Sequence, residues 1–425
     1  MSRLKPRLCS FELTAYPAAI APCPRPDRAR TWRALLTLPA AALLALLAAV
    51  TAQADWVRDS AFNAGGSGAN GAVLAMLRQP DGRLLIAGNF ATYNGISRVR
   101  IARLNADGSL DLSFDPGTGV NGSVNALALQ PDGRVVVGGA FSVVNGTSRQ
   151  RIARLNADGS LDLSFDPGTN GFSGGSVRAI AVQADGKLLV GGDFTSYNGV
   201  PVARIARLNA NGSLDASFDP GTGASGSVYA VTVQPDGRIL IGGAFNSVND
   251  TPRVRIARLN ANGSLDASFD PGAGLGSTVH ALALQPDGRI LVGGQFTTPQ
   301  QRVTRLNANG SVDAGFSPGA GANAIVRAVV LQGDGRVLIG GDFSQVDGQW
   351  HRGVARLNAD GSRDAGFTTG GSGTGPQGPI YGVAPDAGVR VVIAGVYSSF
   401  SGAPAGNIVR IVPDGLFADR FQPSQ

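Results

Sequence analysis

The sequence predicts an all-β fold, a seven-bladed β-propeller of four-stranded antiparallel blades, on three observations. One phrase recurs along the chain in seven copies, each copy holds four short strand-like runs, and no run between them has helical periodicity. Gln-Pro-Asp-Gly-Arg stands at 79–83, 130–134, 234–238 and 285–289, with variants at 183–187 and 332–336 and a degenerate copy at 385–388. Phe62, Phe114, Phe165, Phe218, Phe269, Phe316, Phe367 and Phe421 bound the units at intervals of 47 to 54 residues. A solenoid is the alternative, but a β-helix coil repeats over fewer residues and lacks a regular pair of Asp-Gly hairpins.

The second unit shows the elements in order. Residues 124–129 and 135–139 are short, nearly all-apolar runs, as expected of strands covered on both faces. Residues 151–156 form the third strand, and 161–165 alternate apolar and polar, as an outer fourth strand should. Pro131-Asp132-Gly133 and Ala157-Asp158-Gly159 read as three-residue hairpin loops, with glycine at the left-handed position.

That loop length fixes a register. With Asn156 opposite Ser160, Arg154 faces Asp162, and the same offset pairs Arg103 with Asp111, Arg207 with Asp215, Arg258 with Asp266, Arg305 with Asp313 and Arg356 with Asp364. Cross-strand ion pairs of this kind contribute roughly 0.2–1 kcal/mol each, a structural reason for the recurrence. The seventh unit breaks the pattern, because Arg410 would face Ala418, whereas Asp59 stands three residues before Phe62. The expectation is that Asp59 partners Arg410 and that strand 56–62 closes the ring as the outer strand of the last blade. The rival is the segment containing Phe421.

Charge and cysteine are unevenly placed. Of the 36 basic and 30 acidic residues, seven and two fall in residues 1–54, leaving 29 and 28 in the remainder, so the basic balance makes no case for nucleic-acid binding. Cys9 and Cys23 also lie in that leader, so the rest of the chain can form no disulfide. Arg28, Arg30 and Arg33 precede an apolar stretch from Ala34 to Val50 and then Ala52-Gln53-Ala54, which reads as an export signal cleaved after Ala54. An Ala-rich stretch interrupted by Pro39 makes a poor membrane anchor. The expected organisation is a leader at 1–54, the repeats at 55–413 and a tail at 414–425, in a monomer that is periplasmic, cell-surface or secreted.

The phrases Gln130-Pro-Asp-Gly-Arg134, Val137-Gly-Gly-Ala-Phe141 and Arg154-Leu-Asn-Ala-Asp-Gly-Ser-Leu-Asp162 resemble the delta-60 repeat family of exported bacterial proteins over about residues 56 to 413. The resemblance implies a propeller-like fold and export, and it implies no reaction. The fifth unit departs from it by losing about four residues between Phe296 and Arg305, and the seventh departs in its first hairpin.

In antiparallel blades the two minimal hairpins share one rim, and the longer connections share the other. Binding residues concentrate on variable loops carried by a rigid scaffold, so the candidates are loop aromatics that break the repeat: Tyr93, Tyr197, Trp350, His351 and Phe400 between second and third strands, and Phe172 before a first strand. Such side chains can stack on sugar rings or grip a peptide, and they can equally plug gaps between blades. The expected partner is an extracellular glycan or protein. No cofactor is expected, since a quinone would need aromatic and ligand constellations that are absent. Asn105-Ala-Asp107-Gly-Ser-Leu-Asp111 has part of a calcium-loop spacing, but Arg103 stands where the loop should open, and Asn211, Asn262 and Asn309 replace the central aspartate, so no metal is assigned. After Asp55 the chain has no Glu or Cys, one Lys and two His, a thin repertoire for acid–base catalysis. The alternatives to a binding module are a hydrolase or lyase using His351 and the unmatched Asp193, Asp250, Asp342 and Asp347, and a passive structural surface protein. His280 falls within an apolar strand and reads as a buried, hydrogen-bonded imidazole.

Overall fold

The computed structural model describes residues 55–369 and 375–414, and every named element in them is a β-strand. The expected leader with its cleavage site, the tail beyond Asp414 and the rival segment at Phe421 lie outside the described residues.

One pattern repeats in seven sheets, none of which closes on itself. In the second unit, strands Val124–Leu129, Val135–Gly139 and Ile152–Leu155 pair antiparallel in that order. The first turn is closed by Gln130 N donating to Arg134 O at 2.9 Å, with Gly133 at φ +83°, a conformation that would strain a residue bearing a Cβ. The middle strand is buried along its whole length, which is why its sequence is continuous Val and Gly rather than alternating.

The expected four-stranded blade is corrected to three strands in the first six units. Leu161 makes a single bridge to Leu155, and Asp162 then ends the extended run. Ser164 N donates to Asp162 Oδ1 at 2.9 Å and Phe165 N to Asp162 O at 3.4 Å, so the aspartate turns the chain and delivers Phe165 to the core. The alternation at 161–165 was the signature of a turn with one inward aromatic. The last sheet has a fourth strand, Trp56–Arg58, antiparallel to Ile408–Pro413, with Trp56 opposite Pro413 and Arg58 opposite Ile411.

Apolar side chains are shared between consecutive units. Ala128, Val136 and Ile152 of the second pack with Val177, Leu188 and Val190 of the third, and Val392, Ala394 and Ile408 of the last pack with Val73, Leu84 and Ile86 of the first. Gly191 shows how tight this contact is, since a Cβ there would come within 2.7 Å of Val228 Cγ1 and 2.8 Å of Val231 Cγ2 of the next unit.

The long connections are themselves ordered. Val143–Val144 and Thr147–Ser148 form a small hairpin, and Val120 of the preceding connection bridges Val144. The fifth unit, shortened between Phe296 and Arg305, has no such hairpin.

Candidate binding site

Each first strand carries one irregularity at the same place. In the second unit the register slips between Val124 and Ala126, so Asn125 is an extra residue on a bulge. The equivalent residues are Leu74, Arg178, Tyr229, His280, Arg327 and Tyr381. A bulge re-aims its extra side chain, and here all seven line one cavity of about 770 Å³ to which the first strand of every unit contributes. They stand at the beginning of their strands, next to the long connections.

Six consecutive units, the second to the seventh, place polar or aromatic groups on this wall. Arg178 Nε donates to Asp193 Oδ2 at 2.8 Å, and its Cζ lies 6.0 Å from the Tyr229 ring. Tyr229 is 5.4 Å from His280, centroid to centroid. Arg327 donates from Nε and Nη2 to both Asp342 oxygens at 2.6 Å and lies 4.7 Å from the Tyr381 ring. Asp193 and Asp342, unmatched within the repeat, are therefore matched to arginines in the same two units. The corresponding residues elsewhere are Asn89, Ala140, Ala244, Gln295 and Val396, beside bulge residues that are not arginine. That paired exception, and the variability of one column in an otherwise uniform strand, are the signals in the sequence that point to this wall.

His280 is corrected by the same geometry. It faces the cavity, and its Nε2 is buried without a hydrogen-bond partner among the described residues. Burial, and then the charge of Arg327, lower its pKa from 6.5 to about 4.

The loop aromatics behave differently from their expected binding role. Tyr93 and Tyr197 are sealed, and their hydroxyls donate to Gly108 O at 2.6 Å and to Gly212 O. Phe172 packs between Phe194 and Tyr197, and Phe400 is 1% exposed, opposite Ala403. The small hairpins fold these side chains inward as plugs. His351 is 1% exposed, both its ring nitrogens lack a partner among the described residues, and burial followed by the Arg363 charge lowers its pKa to about 4. Trp350 alone of the six candidates stays open, at 44% exposure. Asp347 Oδ1 accepts from Ala320 N at 3.0 Å and Asp250 Oδ2 from Thr222 Oγ1 at 3.1 Å, so both are occupied in holding connections. Among the described residues no group of three or more His, Cys, Asp or Glu is placed to hold a metal. Asp107 instead accepts from Ser109 N and Oγ, at 2.9 and 2.6 Å.

The half-buried His280 and the buried His351 carry a pH prediction. Above pH 6.5 both are neutral whether the chain is folded or not. Between pH 6.5 and about 4 the unfolded chain takes up protons that the folded one excludes, so stability falls as pH drops. For His351, whose ring is sealed, the slope is about 1.4 kcal/mol per pH unit. His351→Val, which installs the residue found at the matching position Val202, is expected to flatten that slope in denaturant titrations at pH 7, 6 and 5. An unchanged slope would show that the imidazole titrates normally.

At the opposite rim the recurrent arginines are buried joints. Arg154 Nε donates to Asp162 Oδ2 at 2.7 Å, its Nη1 donates to Ala210 O of the next unit at 2.6 Å, and its Cζ lies 5.1 Å from the Phe165 ring. The same Nε–Oδ2 contact measures 2.7 Å for Arg103–Asp111, Arg207–Asp215, Arg258–Asp266 and Arg305–Asp313, and 2.6 Å for Arg356–Asp364. Arg410 Nη2 lies 2.7 Å from Asp59 Oδ2, and its Nη1 donates to Ala106 O of the first unit at 2.9 Å.

Six stretches, 79–114, 130–165, 183–218, 234–269, 285–316 and 332–367, match the family described as a domain of unknown function (DUF5122) beta-propeller. The chain belongs to a β-propeller repeat family. Among solved structures, the WD40 β-propeller domain of Doa1 aligns with this propeller at a TM-score of 0.52 and 16% identity, over 81% of this chain and 93% of that one. The extracellular domain of a hybrid two-component system protein from B. thetaiotaomicron aligns at 0.48 and 15%, over 81% of the propeller chain and 40% of its own. YCF48 bound to D1 peptide aligns at 0.46 and 11%, over 84% and 95%. No curated protein matches the sequence closely enough to show kinship.

Proposed function

We propose that this chain is an exported, non-enzymatic binding module, a seven-bladed propeller of delta-60 repeats whose ligand, a glycan or a protein segment, seats in the axial cavity from the rim of the long connections. The observation that carries the reading is the bulge column. Scaffold positions in the seven units are nearly uniform, whereas this column is Leu, Asn, Arg, Tyr, His, Arg and Tyr, and it faces one ligand-sized cavity. Variation confined to a concave wall on a regular frame is what a recognition surface requires.

Closure of the seven units into one ring rests on the pairing of Trp56–Arg58 with the last sheet and on the apolar packing of last unit against first. Export rests on the leader, whose proposed cleavage precedes Asp55, the residue whose carbonyl accepts from Asp414 N at 2.8 Å. The hydrolase alternative gains nothing from the geometry. His351 is sealed, and Asp193, Asp250, Asp342 and Asp347 are each held by a partner within the protein.

Thermal unfolding of the purified protein against polysaccharides, peptidoglycan fragments and peptides tests the reading. A ligand at about 100 times its Kd stabilises the native state by roughly 2.7 kcal/mol. A binding module is expected to shift with one class, and Tyr229→Ala is expected to abolish the shift. Turnover of any of these compounds, or silence across the panel, would contradict it.

A further inference from the structure

We infer that the axial ligand is a carboxylated sugar, a uronate, whose carboxylate is held by Arg178. This rests on the axial binding reading above. The two arginine–aspartate–tyrosine groups on the cavity wall are not equivalent. Arg327 is satisfied: Nε and Nη2 engage both oxygens of Asp342, and its side chain is 22% exposed. Arg178 is tethered at one point. Its Nε holds Asp193, its side chain is 39% exposed, and its Nη1–Nη2 edge has no partner among the described residues. A guanidinium held through Nε with its fork open is oriented for a bidentate carboxylate.

The neighbours of that fork suit a sugar ring rather than a bare anion. Tyr229 stands beside it with an aromatic surface. His280, next along the wall, has an unpartnered Nε2. On the other side Asn125 donates to Val177 O at 3.3 Å, which fixes its amide and leaves its Oδ1 as an acceptor. A uronate supplies the carboxylate, hydroxyls that donate and accept, and a C–H face for the tyrosine. An inorganic anion would use the arginine alone.

The experiment is calorimetric titration of the purified protein with an oligogalacturonate, with the same oligosaccharide after reduction of its carboxylates to neutral alcohols, and with an acidic peptide. The uronate is expected to bind about ten- to a hundredfold more tightly than its reduced form, as a charged hydrogen-bonded contact implies. Arg178→Asn with Asp193→Ala copies the Asn125 and Ala140 pair of the second unit, so the fold tolerates it, and it is expected to erase that difference while leaving Tm near wild type. Equal binding of both sugars, unchanged in the double variant, would overturn the assignment to Arg178 and leave axial binding standing. Peptide binding that depends on Arg178, with no uronate binding, would overturn the sugar class. Binding of neither, with no effect of Tyr229→Ala on any ligand, would overturn both readings.

Discussion

Asp162→Ala is expected to destabilise the protein by about 3–5 kcal/mol. The register alone suggested an ordinary cross-strand pair worth a few tenths to 1 kcal/mol, and burial decides between these magnitudes. Arg154 and Asp162 are each 6% exposed as side chains, so removing the carboxylate strands the buried Arg154 cation, whereas the more exposed Arg134, 3.4 Å from Asp162, keeps Asp132 at 3.2 Å. Burial pushes the Asp162 pKa up, but hydrogen bonds from Ser164 and Arg154 outweigh it and hold it below the ordinary carboxylate value. The ionised form is thus favoured by the fold, and its contribution, present above pH 3.8, is lost as pH falls through the lowered value. Arg154 also donates from Nη1 to Ala210 O, so its loosening is expected to reach the joint between second and third units. Urea unfolding of Asp162→Ala at pH 7 checks this, and a loss under 1 kcal/mol would return the pair to the class of solvated surface pairs.

Trp56→Ala is expected to cost about 3–5 kcal/mol, the range for deleting a buried tryptophan. Trp56 is 3% exposed, its ring lies 4.3 Å from Phe367, and its Nε1 donates to Gly366 O at 3.2 Å. It also lies 5.2 Å from Arg356 Cζ, the recurrent arginine of the sixth unit. The first strand among the described residues thus contributes to the junction of the sixth and seventh units, 310 residues away from its hydrogen-bond partner. Asp59→Ala should cost less than Asp162→Ala, because Arg410 keeps Asp386 at 3.1 Å. Phe421→Ala, on the rival segment, is expected to change stability by less than about 0.5 kcal/mol. Equal effects at Trp56 and Phe421 would overturn closure by the N-terminal strand.

What the sequence made legible was whatever recurred. Asp-Gly turns and the arginine–aspartate offset follow from backbone constraints that act over a few residues, and they repeat because each unit solves the same local problem. The fourth strand was misread because alternation at 161–165 fits an edge strand and an aspartate turn alike, and only the bond from Ser164 N to Asp162 separates them. Loop aromatics such as Tyr93 were misplaced for a different reason. Exposure of a connection is a tertiary property, and here short hairpins fold over the gaps between units. The cavity wall was hidden within strands that look apolar, because one bulge residue per strand changes direction without changing the run's composition. Even so, Arg178 with Asp193 and Arg327 with Asp342 break the repeat in the same two units, a coincidence that alignment of the units exposes.

Titration of one bound glycan or peptide against Tyr229→Ala and Trp350→Ala tests the central claim most directly. Tyr229 lines the cavity shared by the first strands, and Trp350 is the exposed aromatic of a hairpin in the sixth unit. The axial account predicts at least a tenfold loss of affinity for Tyr229→Ala, about 1.4 kcal/mol, and wild-type affinity for Trp350→Ala. Loss at Trp350 with wild-type affinity at Tyr229 would contradict it and move the site to the outer hairpins.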